Sequence, residues 1–123
     1  MHKRERLAQG RQFGQIFQKG QSFVHPLLVL RALGNGLPYS RFGFVVGGRI
    51  GKAVLRNRVK RRMREAMRLR ATQVPPGLDV VLVARMPIAK ASYWRIGEAL
   101  DCLLPRLGRA NTAKTDQGGG SPG

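Results

Sequence analysis

Apolar residues recur along the chain with two different periods, and each change of period marks a new element. In "RQFGQIFQKG" (11–20), Phe13, Ile16 and Phe17 fall at i, i+3 and i+4. That is one face of a short amphipathic helix, with Gly20 as its stop. "SFVHPLLVLRAL" (22–33) is rich in branched and apolar residues and predicts a strand; Pro26 implies an edge position or a bulge. "GNGLPYS" (34–40) is a turn, and "RFGFVVG" (41–47) predicts a second strand, antiparallel to the first across it. A helix follows from Lys52 to Arg70, ended by Pro75, Pro76 and Gly77. "DVVLVAR" (79–85) is a continuous apolar run of strand length, as expected of an interior strand. In "ASYWRIGEALDCLLPRLG" (91–108), Trp94, Ile96, Leu100, Leu103, Leu104 and Leu107 recur at helical intervals. Ser92 is placed to cap this last helix and Pro105 to end or kink it.

The order is α-β-β-α-β-α. Three or four strands need both long helices to cover them, so the fold class is α/β (α+β): a two-layer sandwich on a small, mostly antiparallel sheet. Residues 1–10 read as a mobile basic arm, 11–107 as a single domain and 108–123 as a disordered tail.

The helix at 52–70 changes the picture. The stretch "GKAVLRNRVKRRMREAMRLR" (51–70) carries nine Lys or Arg residues and one acid, Glu65. On a helical wheel Leu55, Val59, Met63, Ala66 and Met67 share one arc, an anchoring face. Asn57, Lys60, Arg61, Arg64 and Arg68 gather on the other side, flanked by Arg58 and Arg62. A merely solvated face ordinarily mixes acids with bases to gain i,i+4 pairs, and this one forgoes them. The whole chain, with 123 residues and a formal net charge of +17, points the same way. Such a field implies a polyanionic partner, and nucleic acid is the commonest. Guanidinium groups suit phosphates and base edges because they are planar and bidentate. Asn57 adds both a donor and an acceptor, which suits reading a base edge or capping a turn.

Other function classes find less support. No apolar run approaches the roughly 20 residues of a spanning helix, and no apolar region follows the charged start expected of a secretory signal. A membrane-surface helix would carry Trp or Phe on its presented face, and this one does not. Cys102 is the only cysteine and lies in an apolar pattern, as for a buried structural thiol. His2 and His25 are far apart and the six acids are scattered, so no catalytic residue and no metal site is identified.

"RNRVKRRMRE" preceded by "GKAVL" resembles the signature of the protein subunit of bacterial ribonuclease P. The family's Arg-Asn-Arg motif matches Arg56, Asn57 and Arg58, and its following basic positions match Lys60, Arg61 and, more loosely, Arg64. "RQFGQIFQKGQSF", "RFGFVV" and "DVVLVAR" are similar to the family's first helix and flanking strands, so the likeness covers about residues 5–107. The resemblance implies a two-layer fold with a left-handed crossover helix carrying the motif. It implies binding to a large catalytic RNA subunit and to precursor tRNA, whose 5′ leader the holoenzyme removes. Divalent metal (Mg) would sit with the RNA and no cofactor with the protein. The location would be cytoplasmic, with no membrane and no obligate protein partner. Arg49, Lys52, Arg56, Asn57, Arg58, Lys60, Arg61, Arg64 and Arg68 would contact RNA. Phe13 and Phe17 would border the leader cleft as stacking platforms, or else serve as core. The resemblance puts Arg31 in the leader cleft too, where many relatives carry an aromatic, so a cation would replace a stacking ring with phosphate pairing or cation stacking. Gly47, Gly48 and Arg49 replace a more cationic loop. The alternative is a non-enzymatic structured-RNA-binding protein of ribosomal type; a DNA-binding helix is a third reading.

Overall fold

The computed structural model describes residues 10–117, with side-chain surroundings for 13–107. The arm at 1–9 and the last six tail positions, 118–123, lie outside the described residues. The elements are α1 (Gly10–Lys19), β1 (Gln21–Val24), β2 (Leu28–Gly34), β3 (Arg41–Val45), α2 (Ala53–Arg68), β4 (Leu78–Ala84) and α3 (Tyr93–Gln117).

The long first strand is in fact two. β1 and β2 pair antiparallel around a tight turn at Pro26, where the missing N–H and fixed φ stop the ladder. His25 N–H donates to the Leu28 carbonyl at 2.9 Å, and His25 Nδ1 accepts the Leu27 N–H at 3.0 Å.

The pairing of β3 also differs from expectation. It runs antiparallel to β2, as expected, but does not pair with it, because β4 lies between them and the order is β1-β2-β4-β3. β4 pairs antiparallel with β2 and parallel with β3. The apolar run of β4 explains its central place, since both its faces are covered. Asp79, only 6% exposed, fixes the arrangement. It accepts from Arg41 at 2.8 and 2.7 Å and from Asn35 Nδ2 at 2.9 Å, tying β3 and the β2 end to β4.

Alternation along β4 sorts its residues between two faces. Val80 and Leu82 join Leu28, Leu30 and Phe42 in the main core under α2 and α3. Val59, Met63 and Met67 of α2, and Ile96, Leu100, Leu103 and Leu104 of α3, supply the other half. The two long helices therefore cover one face, as expected. α1 crosses the opposite face, where Ile16 packs on Val81 with Phe13, Leu33, Val45 and Val83 around it. Gly20 ends α1 by necessity: a Cβ there would stand 2.5 Å from the Ile16 carbonyl oxygen and 2.8 Å from that of Ala32.

α2 and α3 are clamped by Arg70. Its guanidinium donates to Asp101 at 2.8 and 3.3 Å and to the Ala66 carbonyl at 3.1 Å. Gly97 leaves it room, since a Cβ would come within 2.8 Å of Nη2. Ser92 caps α3, its Oγ accepting the Arg95 N–H at 3.2 Å.

Two expectations for this last helix fail, and a third is narrowed. Trp94 is 76% exposed and outside the apolar stripe. Cys102 is exposed rather than buried, because it falls on the solvent side between the buried Leu100 and Leu103. Of the two outcomes expected at Pro105, an end or a kink, the end does not occur: the helix runs on to Gln117, so the positions just after residue 107 are helical.

Candidate nucleic-acid interface

The local sequence builds α2 as a two-sided object. Val59, Met63, Ala66 and Met67 are fully buried, and Leu55 packs partly against the core. That fixes the direction of every cation between them. Asn57, Arg58, Lys60, Arg61 and Arg64 are all exposed. Arg58, Lys60 and Arg61 have no hydrogen-bond or ion-pair partner among the described residues. Arg49 and Lys52, at the entry to the helix, are equally unengaged. The first turn has no acid and no side-chain cap, so its N–H groups face outward beside these cations.

Not every predicted cation is free. Arg56 is half-buried and donates from Nε to the Gly51 carbonyl at 3.2 Å, steadying the turn that launches the helix. Arg62 donates to the Ala91 carbonyl at 3.2 Å. Arg68 is paired with Glu65 one turn away. That contact raises the Arg68 pKa and holds the Glu65 carboxyl below its ordinary range. Asn57 lies well inside the helix and caps nothing, which leaves its amide to solvent or a ligand. The loop at Gly47 and Gly48 enters a 3-10 turn, Gly48–Ile50, anchored by buried Ile50.

Beside this face runs a groove of ≈ 650 Å³. Its floor is β3, the edge strand, with Phe42, Phe44, Val45 and Val46 in the lining. Phe13 and Phe17 of α1 form one wall; Lys60, Arg64, Glu65 and Arg68 of α2 form the other. The two walls come from helices on opposite faces of the sheet, so the groove wraps its open edge. Arg64 lies over the Phe44 ring, 5.9 Å from its centroid. One wall offers aromatic surface and the other offers cations, the two features a single-stranded nucleic acid needs.

Phe13 is partly buried and Phe17 is 41% exposed, so Phe13 leans on the second core cluster while Phe17 faces outward. Arg31 sits on the same face of the sheet as α1 but turns to it. Its Nη2 donates to the Phe17 carbonyl at 2.6 Å, and the guanidinium lies 5.4 Å from the Phe17 ring centroid.

The sequence reading missed the β3 floor. Phe42, Phe44, Val45 and Val46 were visible as a strand, but their role depends on β3 being an edge. No three His, Cys, Asp or Glu residues gather into a metal site among the described residues.

The comparisons with known proteins agree with this geometry. A family model described as Ribonuclease P matches residues 1–108. The ribonuclease P protein component of Alkaliphilus oremlandii is 37% identical over 108 residues, covering 88% of this chain and 95% of its own length. The structure of the RNase P protein from Thermotoga maritima superposes with a TM-score of 0.76 at 37% identity, over 83% of this chain and 96% of that one. The RNase P protein of Staphylococcus aureus also gives 0.76, at 27% identity, over 83% and 94%. A match over nearly the whole domain, at both levels, leads to one assignment: the chain belongs to the ribonuclease P protein family, the protein component of an endoribonuclease that acts in tRNA 5′ processing.

Proposed function

We propose that α2 grips the catalytic RNA while the groove along β3 receives the 5′ leader of precursor tRNA. The observation that carries this reading is the division of labour across the edge strand. Cations without partners crowd the outer face of α2, and the groove beside them pairs an aromatic wall with a cationic one.

On this reading Arg49, Lys52, Arg58, Lys60 and Arg61 meet phosphates of folded RNA, and Asn57 meets a base edge or a sugar. Arg56 fixes the helix entry and presents its remaining N–H groups beside them. Phe17 stacks an unpaired leader base, whatever its identity, since every base has a π face. Arg64 tracks the leader backbone from the opposite wall, with Lys60 where the groove and the helix face meet, beside the Arg68–Glu65 pair. Phe13 holds α1 to the sheet and contributes its exposed edge.

The protein then assists by binding and orienting RNA, while the reaction itself belongs to the RNA subunit. Magnesium would be held by that RNA, as the family resemblance implies. The chain's cations would ease the crowding of phosphates that the metal otherwise screens. Among the described residues no helix is long and apolar enough to cross a membrane. Because its substrate is precursor tRNA, we place the particle in the cytoplasm.

The test is reconstitution. The protein is mixed with a ribonuclease P RNA and precursor tRNA at low magnesium, with leader cleavage as the readout. Cleavage should rise, and the protein should favour leader-bearing tRNA over leaderless tRNA. A protein that binds both equally and leaves cleavage unchanged would be a general RNA-binding protein of ribosomal type.

A further inference from the structure

Arg31 is the one cation predicted for the groove whose guanidinium is committed to its own protein's aromatic wall. Its Nη2 reaches the Phe17 carbonyl at 2.6 Å, satisfying an acceptor in the last turn of α1 that the helix cannot pair itself. Its charged carbon stands 5.4 Å from the Phe17 ring centroid, within the roughly 6 Å at which a cation is attracted to a π face. Its Nε is shut off from solvent and has no hydrogen-bond partner among the described residues. The Nε–Nη2 edge of the fork, one of those that would grip a phosphate bidentately, is therefore turned inward. One residue on β2 thus touches both the backbone and the ring of the one apolar groove residue that is strongly exposed among the described residues. Phe17 keeps 41% of its surface open.

We propose that Arg31 is a positioning residue: it holds α1's end and the Phe17 ring as a ready-made platform for a leader base and does not itself bind phosphate. This rests on the reading of the groove as the leader site. Without Arg31 the Phe17 side chain must be ordered when RNA arrives, and immobilising a side chain at that moment weakens binding by about two- to tenfold. The buried, unpartnered Nε marks the arrangement as one with a cost, tolerated because the ring and carbonyl contacts offset it.

The experiment uses the reconstituted holoenzyme and measures affinity for precursor tRNA with a leader and for leaderless tRNA, at several salt concentrations. The variants are Phe17→Ala, Arg31→Ala, their double, and Arg31→Gln, which keeps a planar donor for the carbonyl but loses the cation. Melting temperatures of the free proteins accompany each. Arg31→Ala should weaken leader-bearing RNA about two- to tenfold, leave leaderless RNA unchanged and keep the salt slope. The double variant should be no worse than Phe17→Ala alone, because both remove the same platform. Arg31→Gln should fall between the wild type and Arg31→Ala. Should Arg31→Ala fail to fold, Arg31→Gln in the same cycle with Phe17→Ala decides the matter. Additive losses with a salt slope shallower by about 1 would mean that Arg31 meets a phosphate, and the proposal falls while the groove reading stands. If Phe17→Ala leaves leader binding untouched, the groove reading itself is wrong and the proposal goes with it.

Discussion

Met63 and Arg61 stand two positions apart on one helix and answer to different partners. Met63 is fully buried, so Met63→Ala should cost about 2–5 kcal/mol of stability, seen as a lower urea midpoint, with RNA affinity per folded molecule retained. Arg61 is exposed and unpaired, so Arg61→Ala should leave the melting temperature unchanged and make the salt dependence of RNA binding shallower by about 1. An unfolded Arg61→Ala, or a Met63→Ala that folds normally and loses RNA, would reverse the two faces. His25 supports a second test at this scale. Burial, and then the charge of Arg95, lower its pKa below the ordinary 6.5. Its Nδ1 accepts the Leu27 N–H, which only an unprotonated nitrogen can do. The unfolded chain thus takes up the proton first as pH falls. The stabilisation is complete above about pH 6.5 and lost on passing down through the lowered pKa. An imidazole NMR titration should place the His25 midpoint below 6.5; a midpoint above it would contradict the turn geometry. Residue roles were legible wherever helical period alone sorts buried from exposed positions, as with the anchoring residues of α2. They were hidden where the partner lay elsewhere: nothing local to Arg31 names Phe17, and nothing local to Trp94 says that its flank of α3 faces solvent.

At the scale of elements, the periods of two and 3.6 revealed which segments are strands and helices, and the split at Pro26 was half-announced by the proline itself. The order of the sheet was not legible. A turn of the right length between β2 and β3 suggests a hairpin, and only the buried Asp79, shared by Arg41 and Asn35, shows why β4 intervenes. The groove inherits that order, since β3 can be its floor only as an edge. The α2–α3 clamp gives a prediction of its own. Hydrogen bonding from Arg70 holds the Asp101 carboxyl below its ordinary range, against a smaller opposing effect of burial. A depressed carboxylate stabilises the fold above its unfolded pKa and ceases to do so as pH falls through the folded one. Melting temperature should therefore drop on acidification below about pH 4, and Asp101→Asn should remove part of that drop. Asp101's side chain is 56% exposed, so its share at neutral pH should be under about 1 kcal/mol. An acid limb identical in both proteins would mean that the clamp contributes nothing.

For the whole molecule, a charge of +17 says polyanion and stops there. What converts it into a measurable expectation is the sorting of cations by engagement. Arg41, Arg56, Arg62, Arg68 and Arg70 are held by groups of the protein itself. They stiffen the fold and release few counterions when RNA binds. Arg49, Lys52, Arg58, Lys60, Arg61 and Arg64 share α2 and its entry with their charges turned outward. If these roughly six meet phosphates, the logarithm of affinity should fall with the logarithm of salt at a slope on the order of −4 to −5, the smaller figure for single strands. The protein's total charge would predict a far steeper line, so the slope separates a patterned interface from a diffuse basic surface. Binding isotherms of the protein with ribonuclease P RNA across a salt series would measure it. A slope near zero would dismiss the electrostatic account. One near the full charge would mean that the anchored arginines also leave their partners, and that the division of α2 into an anchored and a presented face does not survive contact with RNA.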